Sequence, residues 1–233
     1  MCGRTTLNVT ETELEKRFNA TFYSEKLERN NPIPNFNVAP TNVMPIITNR
    51  DLNHFNLYRW GLVPHWAKNL KIGSTMINAR IETIKEKTTY KESFEKRRCL
   101  VPVDSFYEWK KIGNQKIPYR ISTKDQKICS LAGLWDVWVN EKGEEIGSYT
   151  IITLPANEFM LPIHDRMPAI LNMETEKLWL NDALTTNEHL SLLVPYASNQ
   201  MESYTVSPRV NKVTENDKKL IEKYSYPIQQ SLF

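Results

Sequence analysis

The first four residues, Met1-Cys2-Gly3-Arg4, carry the residue types with the most distinctive chemistry. If Met1 is removed, Cys2 presents an α-amine and a thiol on adjacent carbons, a pair that no internal cysteine offers. An α-amine has a reference pKa of about 7.7 to 8.0, so part of it is unprotonated at neutral pH and condenses with an aldehyde. A neighbouring ammonium is expected to lower the thiol pKa. The thiol can then add to the imine and close a five-membered thiazolidine.

The same thiol can also attack an acyl carbon, as in amidotransfer or peptide cleavage. A cysteine peptidase or N-terminal-nucleophile hydrolase would use Cys2 as its nucleophile and His164 or the free amine as its base. A third alternative is a reader of modified bases that makes no covalent bond, in which Cys2 has no chemical role. The amino-terminal residues leave these alternatives open.

Two further residues, Glu108 and His164, are candidates for proton transfer. Glu108 stands among aromatic residues in Phe106-Tyr107-Glu108-Trp109, and apolar surroundings raise a carboxyl pKa. Histidine titrates near neutrality without any perturbation. Imine chemistry needs such groups, because a carbinolamine loses water with the help of a general acid. Structural roles are the alternative: an ion pair for Glu108 or Arg80, and a hydrogen-bonded loop position for His164.

The composition is typical of a globular protein: 40% of the 233 residues are hydrophobic and 24% are charged. The formal charge of +3 does not demand a polyanionic partner, so any nucleic-acid site is expected to be a local patch. Cys2, Cys99 and Cys129 lack paired spacing, which argues against disulfides and structural zinc. We expect no metal or cofactor. The sequence shows neither a membrane-span pattern nor a secretory leader, and this predicts a cytoplasmic or nuclear protein.

The pattern of elements predicts one mixed α+β domain over residues 1–233, with mainly antiparallel strands and the polar motifs on loops. A capping pattern predicts a helix at residues 10–18, and proline density predicts an extended segment at 30–45. Further helices are expected in the lysine-rich segment that ends at 98, at 175–179 and at 186–193. Residues 60–66 and 162–168 are expected to be loops, and Trp60, Trp109 and Trp135 core residues. The predicted strands are 45–48, 54–60, 99–103, 106–110, 118–121, 128–139 and 149–153.

Six motifs resemble those of the SOS-response-associated peptidase (SRAP) family and occur in the family's order between residues 2 and 168. They are Cys2-Gly3-Arg4, Asn37-Val38-Ala39-Pro40, Trp60-Gly61-Leu62-Val63-Pro64, Ile77-Asn78-Ala79-Arg80-Ile81-Glu82-Thr83, Phe106-Tyr107-Glu108-Trp109-Lys110 and His164-Asp165-Arg166-Met167-Pro168. The resemblance implies a single domain of bifurcated β-sheets curled into a pseudo-barrel, with flanking helices.

The resemblance also implies an activity, the covalent capture of abasic sites in single-stranded DNA, including strand ends next to duplex. The mature amino-terminal cysteine would form a thiazolidine with the ring-opened sugar and shield the lesion. Lyase-type and autoproteolytic activities are implied as well. The protein would act as a monomer, without a membrane partner. A duplex does not easily thread such a site, which agrees with a single-stranded substrate.

The motifs assign roles to particular positions. By resemblance, Cys2 is the crosslinking nucleophile, Asn78 holds the sugar and the reacting atoms, Glu108 shuttles protons, and His164 assists Schiff-base formation and ring opening. The DNA-binding residues would be Arg4, Asn37, Pro40, Trp66, Arg80, Thr153 and Arg166. One departure concerns Trp66, which Ala67 follows where some relatives carry a second indole. Base stacking at that edge is therefore expected to be weaker.

Overall fold

A computed structural model describes residues 2–23 and 32–226, and strands form most of their regular structure. The strands are β1 (Thr5–Leu7), β2 (Thr21–Phe22), β3 (Asn35–Val38), β4 (Val43–Thr48), β5 (Asp51–Trp60), β6 (Asn78–Arg80), β7 (Arg98–Val103), β8 (Ser105–Ile112), β9 (Gln115–Thr123), β10 (Cys129–Val139), β11 (Glu145–Pro155), β12 (Arg166–Pro168), β13 (Ile170–Leu171) and β14 (Met201–Thr205). The helices are α1 (Glu11–Phe18), α2 (Thr88–Lys96), α3 (Met173–Trp179) and α4 (Thr186–Ser191).

The strands of the described residues form two sheets, one with the order β14-β9-β8-β1-β3 and one with the order β12-β11-β10-β7-β4-β5-β2. In the second sheet β5 also pairs with β11, so strands β11, β10, β7, β4 and β5 form a closed, barrel-like ring. Neighbours are mostly antiparallel, and the helices lie around the sheets. The α+β pseudo-barrel that the sequence predicts is confirmed.

The barrel forks where β10 and β11 separate. Their pairing ends at Gly133 and Ile151, and β12 and β13 continue between them, β12 on β11 and β13 on β10. Ala169 links both sides, donating its N–H to Ile152 at 2.9 Å and accepting from Ala132 at 2.8 Å. β6 pairs in parallel with the other edge of β11. The end of β11 therefore lies between β6 and β12, which bear two of the predicted motifs.

The local signals in the sequence account for α1 but not for β12. Thr10 caps α1: its side chain accepts from the N–H of Glu13, whose carboxylate accepts from the N–H of Thr10. The predicted loop at 162–168 is wrong in its second half, because Arg166–Pro168 forms β12. The fork provides the unpaired backbone groups that make this short strand favourable. Of the predicted extended segment, residues 30 and 31 lie outside the described residues.

The main hydrophobic core contains residues from Cys2 to Met201 and fills the barrel. Trp60 is fully buried as expected, whereas Trp109 and Trp135 are half-buried. A second, smaller cluster packs the carboxy-terminal segment onto β8 through Tyr107, Val206, Val210 and Leu220. Within the described residues no helix is long and apolar enough to cross a membrane, and no group of His, Cys, Asp and Glu is arranged to hold a metal ion.

Replacement of Gly61 by alanine should destabilise the fold strongly. Gly61 has φ +123°, and a Cβ added there would lie 2.3 Å from the carbonyl oxygen of Gly73. Strain and backbone clash together should cost about 2 to 4 kcal/mol, measured by urea unfolding. Gly113→Ala is the matched control, because Gly113 has φ +57° but no atom within 4 Å of an added Cβ. The control should cost about 1 kcal/mol, and equal costs for the two variants would contradict the role of the close approach.

Candidate active site at the amino terminus

The amino terminus reaches the site because β1 pairs with β8. Thr5 lies opposite Phe106, and the N–H of Tyr107 donates to the carbonyl of Arg4 at 2.9 Å. Continued by two residues from Thr5 and Phe106, this antiparallel register would bring Gly3 opposite Glu108. Cys2, one residue further, is fully buried. A strand pairing between distant parts of the chain thus brings the candidate nucleophile beside the candidate proton shuttle.

Asn78 holds the backbone of Cys2 from the other side. It begins β6, whose parallel pairing places it opposite Ile151 of β11. Its Nδ2 donates to the carbonyl of Cys2 at 2.8 Å, and its own carbonyl accepts from the hydroxyl of Tyr90 at 3.1 Å. Its Oδ1 is buried and has no hydrogen-bond partner among the described residues. The amide is thus oriented by one end and has an acceptor available at the other.

Burial dominates the electrostatics of Cys2 and Glu108. Glu108 is only 2% exposed, and this burial raises the pKa of its carboxyl, while the charge of His164 acts in the opposite direction. Burial also raises the pKa of the Cys2 thiol, and the charge of Glu108 raises it further. The three groups therefore lie within electrostatic reach of one another. The raised carboxyl pKa agrees with the expectation from the aromatic neighbours.

The ammonium at the chain terminus lowers the thiol pKa of Cys2, as expected, but burial and the charge of Glu108 raise the pKa by more than the ammonium lowers it. The thiolate would have to form away from water and near the carboxylate of Glu108, and these effects outweigh the favourable ones. A second group that favours the thiolate is Arg4, whose backbone N–H donates to the Cys2 sulfur. A neutral thiol is consequently the resting form of Cys2.

Two contacts of Nδ1 indicate the tautomer of His164. Its Nδ1 lies 2.9 Å from the backbone nitrogen of Arg166 and 2.8 Å from Oδ1 of Asp165. The first contact requires a lone pair on Nδ1 and the second a proton, so the two make opposite demands. A backbone N–H can only donate, whereas the side chain of Asp165 is 82% exposed and can turn into solvent. Nδ1 is therefore the acceptor, and Nε2 carries the proton of the neutral ring.

Two arginines flank the end of β11. Arg80 is exposed and lies opposite Thr153 in the β6–β11 pairing. Arg166 is mostly buried; its Nη2 donates to the carbonyl of Thr153 at 2.7 Å and to Oγ1 at 3.3 Å. Both terminal nitrogens of Arg166 also contact the carboxylate of Glu82, and this hydrogen bonding lowers the Glu82 pKa. Among the described residues, Arg166 forms an ion pair with a carboxylate, whereas Arg80 acts on Glu82 through its charge without such a contact.

The remaining candidate residues occupy three other places. Arg4 and Asn37 are buried and hydrogen-bonded to each other at 2.6 Å, beneath the carboxy-terminal segment. Pro40 lies in a turn closed by a 3.0 Å hydrogen bond from Asn42 to Ala39. Trp66 is 51% exposed, on a loop beyond β5.

The structure thus brings Cys2, Asn78, Glu108 and His164 together, with Arg80, Thr153 and Arg166 at the adjoining end of β11. Sequence reasoning missed Glu82 as the partner of Arg166 and Tyr90 as the partner of Asn78. Glu82 belongs to a motif that the sequence singles out, and its proximity to Arg80 was the available signal. Nothing local in the sequence identifies Tyr90, which reaches Asn78 from α2.

Comparison with known proteins supports a functional role for this arrangement. The sequence profile of the SOS response associated peptidase (SRAP) family matches residues 1–213. The chain is 43% identical to the abasic site processing protein YoqW of Bacillus subtilis, over 96% of this chain and 100% of that protein. It is 30% identical to the abasic site processing protein HMCES of Xenopus tropicalis, over 94% of this chain and 76% of that one. A crystal structure of a protein from Bacteroides thetaiotaomicron superposes with a TM-score of 0.89 at 30% identity, covering 96% of this chain and all of that one.

Replacement of Glu108 by glutamine should stabilise the protein near neutral pH. The carboxyl pKa is raised on folding, so below the reference value of about 4.3 the side chain is neutral in both states. As the pH rises through the folded pKa, the folded state must bury a charge and loses stability relative to the unfolded chain. Glutamine keeps the shape and removes this loss.

Calorimetric melting between pH 4 and pH 8 provides the measurement. The melting temperature of Glu108→Gln should exceed that of the parent at pH 7 and approach it near pH 4. Glu141→Gln, in the exposed turn between β10 and β11, is a control for the change in net charge. A parent and a Glu108→Gln variant with parallel profiles would contradict the raised pKa.

Proposed function

The chain belongs to the SOS response associated peptidase (SRAP) family, and from this premise we propose that it processes abasic sites in DNA by covalent capture through Cys2. The relatives named above are abasic site processing proteins. One observation carries the chemical part of the proposal: the amide of Asn78 is hydrogen-bonded to the Cys2 backbone at 2.8 Å, and Cys2 lies beside a buried Glu108. A cysteine at the amino terminus of the mature protein would present its amine and thiol at this point.

The reaction requires no oxidant and no cofactor. After removal of Met1, the amine of Cys2 adds to the aldehyde carbon of the ring-opened deoxyribose, and the carbinolamine loses water to give an imine. The Cys2 sulfur then bonds to the imine carbon, the C=N bond becomes single, and the thiol proton passes to nitrogen. Water is the only molecule released. The product is a thiazolidine that joins the protein to the DNA strand.

Each polar group at the site has a distinct task in this scheme. Glu108, whose carboxyl pKa is raised by burial, can protonate the leaving hydroxyl and later exchange a proton with the ring nitrogen. His164 carries its proton on Nε2 and can assist opening of the sugar ring. The Oδ1 of Asn78 can accept a hydrogen bond from the amine of Cys2 or from the sugar. Holding these groups in place raises the chance that the rare open form of the sugar reacts.

The end of β11 offers the contacts for the DNA backbone. Arg80 and Arg166 would bind the phosphates that flank the lesion, with Thr153 orienting Arg166. Trp66, half-exposed on its loop, would stack on a flanking base, and Pro40 would line the same channel. We propose single strands, and strand ends next to duplex, as the substrate of a monomer. Such a substrate implies action in the compartment that holds DNA.

Cleavage of peptides beyond Met1, by the same thiol, is the second candidate function and is favoured by the family's designation as peptidases.

Capture should depend on both halves of the aminothiol. Intact mass spectrometry after mixing the protein with an abasic oligonucleotide should show a 1:1 adduct that survives denaturation and begins at Cys2. Cys2→Ser keeps an amine but replaces the thiol with a weak nucleophile, so only a reducible imine should form. Cys99→Ser is the matched control, because Cys99 is also buried and free, and it should crosslink like the parent. An adduct formed by protein that retains Met1 would contradict the proposal, whereas thiol-dependent peptide cleavage without an adduct would favour the peptidase.

The two arginines should contribute unequally to DNA binding. Arg80 is exposed, so Arg80→Ala should reduce the salt dependence of single-strand binding by about 0.7 in the log–log slope. Arg166 already shares its charge with Glu82, so Arg166→Ala should reduce the slope less. Glu82→Gln should tighten binding and steepen the slope, because it releases Arg166 for phosphate.

Fluorescence anisotropy of an undamaged single-stranded oligonucleotide, titrated at several salt concentrations, separates these effects from the covalent step. Glu95→Gln is the matched control; Glu95 is exposed on α2, and its loss changes the net charge equally. If Glu82→Gln behaved like Glu95→Gln and Arg80→Ala kept the parental slope, the DNA path would not pass the end of β11.

A further inference from the structure

The carboxy-terminal segment of residues 207–217, here called the strap, closes over β1, β3 and β8 and has no role in the scheme above. Its buried Val210 packs in the small cluster with Tyr107 of β8. Two polar contacts hold it: Nε1 of Trp109 donates to Asn211 near its middle at 2.7 Å, and the N–H of Phe36 donates to Asn216 near its end at 2.8 Å. The strap therefore contacts the strand that bears Glu108.

Arg4 lies beneath the strap. Arg4 is 9% exposed, and its Nη1 donates to the Val210 carbonyl and to Oδ1 of Asn37, both at 2.6 Å. The guanidinium also lies over the ring of Trp109, 5.9 Å from its centroid. The two acceptors of Nη1 are neutral groups of the protein, and the face of Trp109 supplies a further favourable contact for the cation. Arg4 is thus held by the strap and by β8, although the family resemblance implies a DNA contact.

Asn37 joins Arg4 to the strap. While its Oδ1 accepts from Arg4, its Nδ2 donates to the carbonyl of Glu215 at 2.7 Å and to that of Lys212 at 3.0 Å. The side chain is 2% exposed, so it has little surface to offer to DNA. Both ends of this amide are used to tie β3, Arg4 and the strap together.

The main chain of Arg4 transmits this anchoring to Cys2. The carbonyl of Arg4 accepts from the N–H of Tyr107 at 2.9 Å, and the N–H of Arg4 donates to the Cys2 sulfur. We propose that the strap, Asn37 and Arg4 form a positioning device that holds the Arg4 amide on the Cys2 sulfur. In this assignment Arg4 and Asn37 act through Cys2 and make no contact with DNA.

The device would favour one step of the reaction, and this consequence rests on the proposed function. Addition of the sulfur to the imine carbon proceeds through the thiolate, which a hydrogen bond from an amide stabilises. Formation of the imine uses only the amine and does not need that hydrogen bond. A loosened strap should therefore slow ring closure and leave imine formation unchanged.

The double variant Asn211→Ala/Asn216→Ala tests the device, because it removes the two strap side chains that accept from Trp109 and Phe36 without altering Arg4, Asn37 or Cys2. Borohydride trapping on an abasic oligonucleotide gives the rate of imine formation. Without borohydride, the appearance of the denaturation-stable adduct gives the rate of ring closure. We expect ring closure to slow about tenfold at a parental rate of imine formation. Asn114→Ala, in the exposed turn between β8 and β9, is the matched control, and its thiazolidine ring should close at the parental rate.

Asn37→Asp provides a second test, because aspartate still accepts from Arg4 but cannot donate to the strap carbonyls. It should also slow closure, while anisotropy with an undamaged oligonucleotide should show the parental affinity and salt slope. A loss of affinity in Asn37→Asp or in Arg4→Met, with a slope lower by about 0.7 in the latter, would overturn the assignment in favour of DNA contact. Ring closure at the parental rate in both Asn211→Ala/Asn216→Ala and Asn37→Asp would overturn the assignment as well.

Hydrogen exchange separates failure of this inference from failure of the proposed function. An absence of any adduct in the parent would refute the proposed function alone. The strap inference would still be decided by the amides of the amino-terminal peptide, which should exchange faster in the strap variants while those of β10 stay protected. Unchanged protection of the amino-terminal peptide would refute the positioning device.

Discussion

The pairing of β1 with β8 is the constraint on which the rest of the site depends. A mobile amino terminus would bring its amine and thiol to an aldehyde only by chance, whereas a strand pairing fixes them to within the precision of a hydrogen-bond ladder. This pairing connects residues about a hundred positions apart, Thr5 and Phe106. Asn78 adds a second restraint from β6. The nucleophile is therefore positioned by the closed sheets, although it lies at the end of the chain.

Burial at this place has two opposite consequences. It excludes water from Cys2 and Glu108 and raises both of their pKa values, which disfavours the charged forms and costs stability. The same environment keeps the Glu108 carboxyl protonated to a higher pH than an ordinary carboxyl, so that it can act as a proton donor. A sulfur that rests as a neutral thiol is a weaker nucleophile than a thiolate and is less prone to unspecific reactions. The site illustrates how stability is given up where chemistry needs an uncommon protonation state.

The charges near the end of β11 show a related balance. Arg166 is oriented by Thr153 and Glu82, and such pairing fixes the geometry of a guanidinium at the expense of its free charge. Arg80 is left exposed. If the proposed phosphate contacts are made, a chain with a net charge of only +3 would keep them local, without a strongly basic surface. The charge of Arg4 is likewise not available at the surface, because neutral acceptors of the protein beneath the strap bind its guanidinium.

The sequence by itself determined much about this protein. Local signals sufficed for α1, because a capping box is a contact within one turn, and for β10, whose predicted bounds of 128–139 differ from Cys129–Val139 by one residue. Cys2, Glu108 and His164 could be singled out as candidate reactive groups from their types and neighbours. Only the tertiary structure decided that burial outweighs a nearby ammonium at Cys2, that residues 166–168 complete a fork as a strand, and that Arg4 and Asn37 bind the strap. These outcomes depend on contacts between residues far apart in the chain, and no local pattern reports which distant group will remove water from a side chain or supply its hydrogen-bond partner.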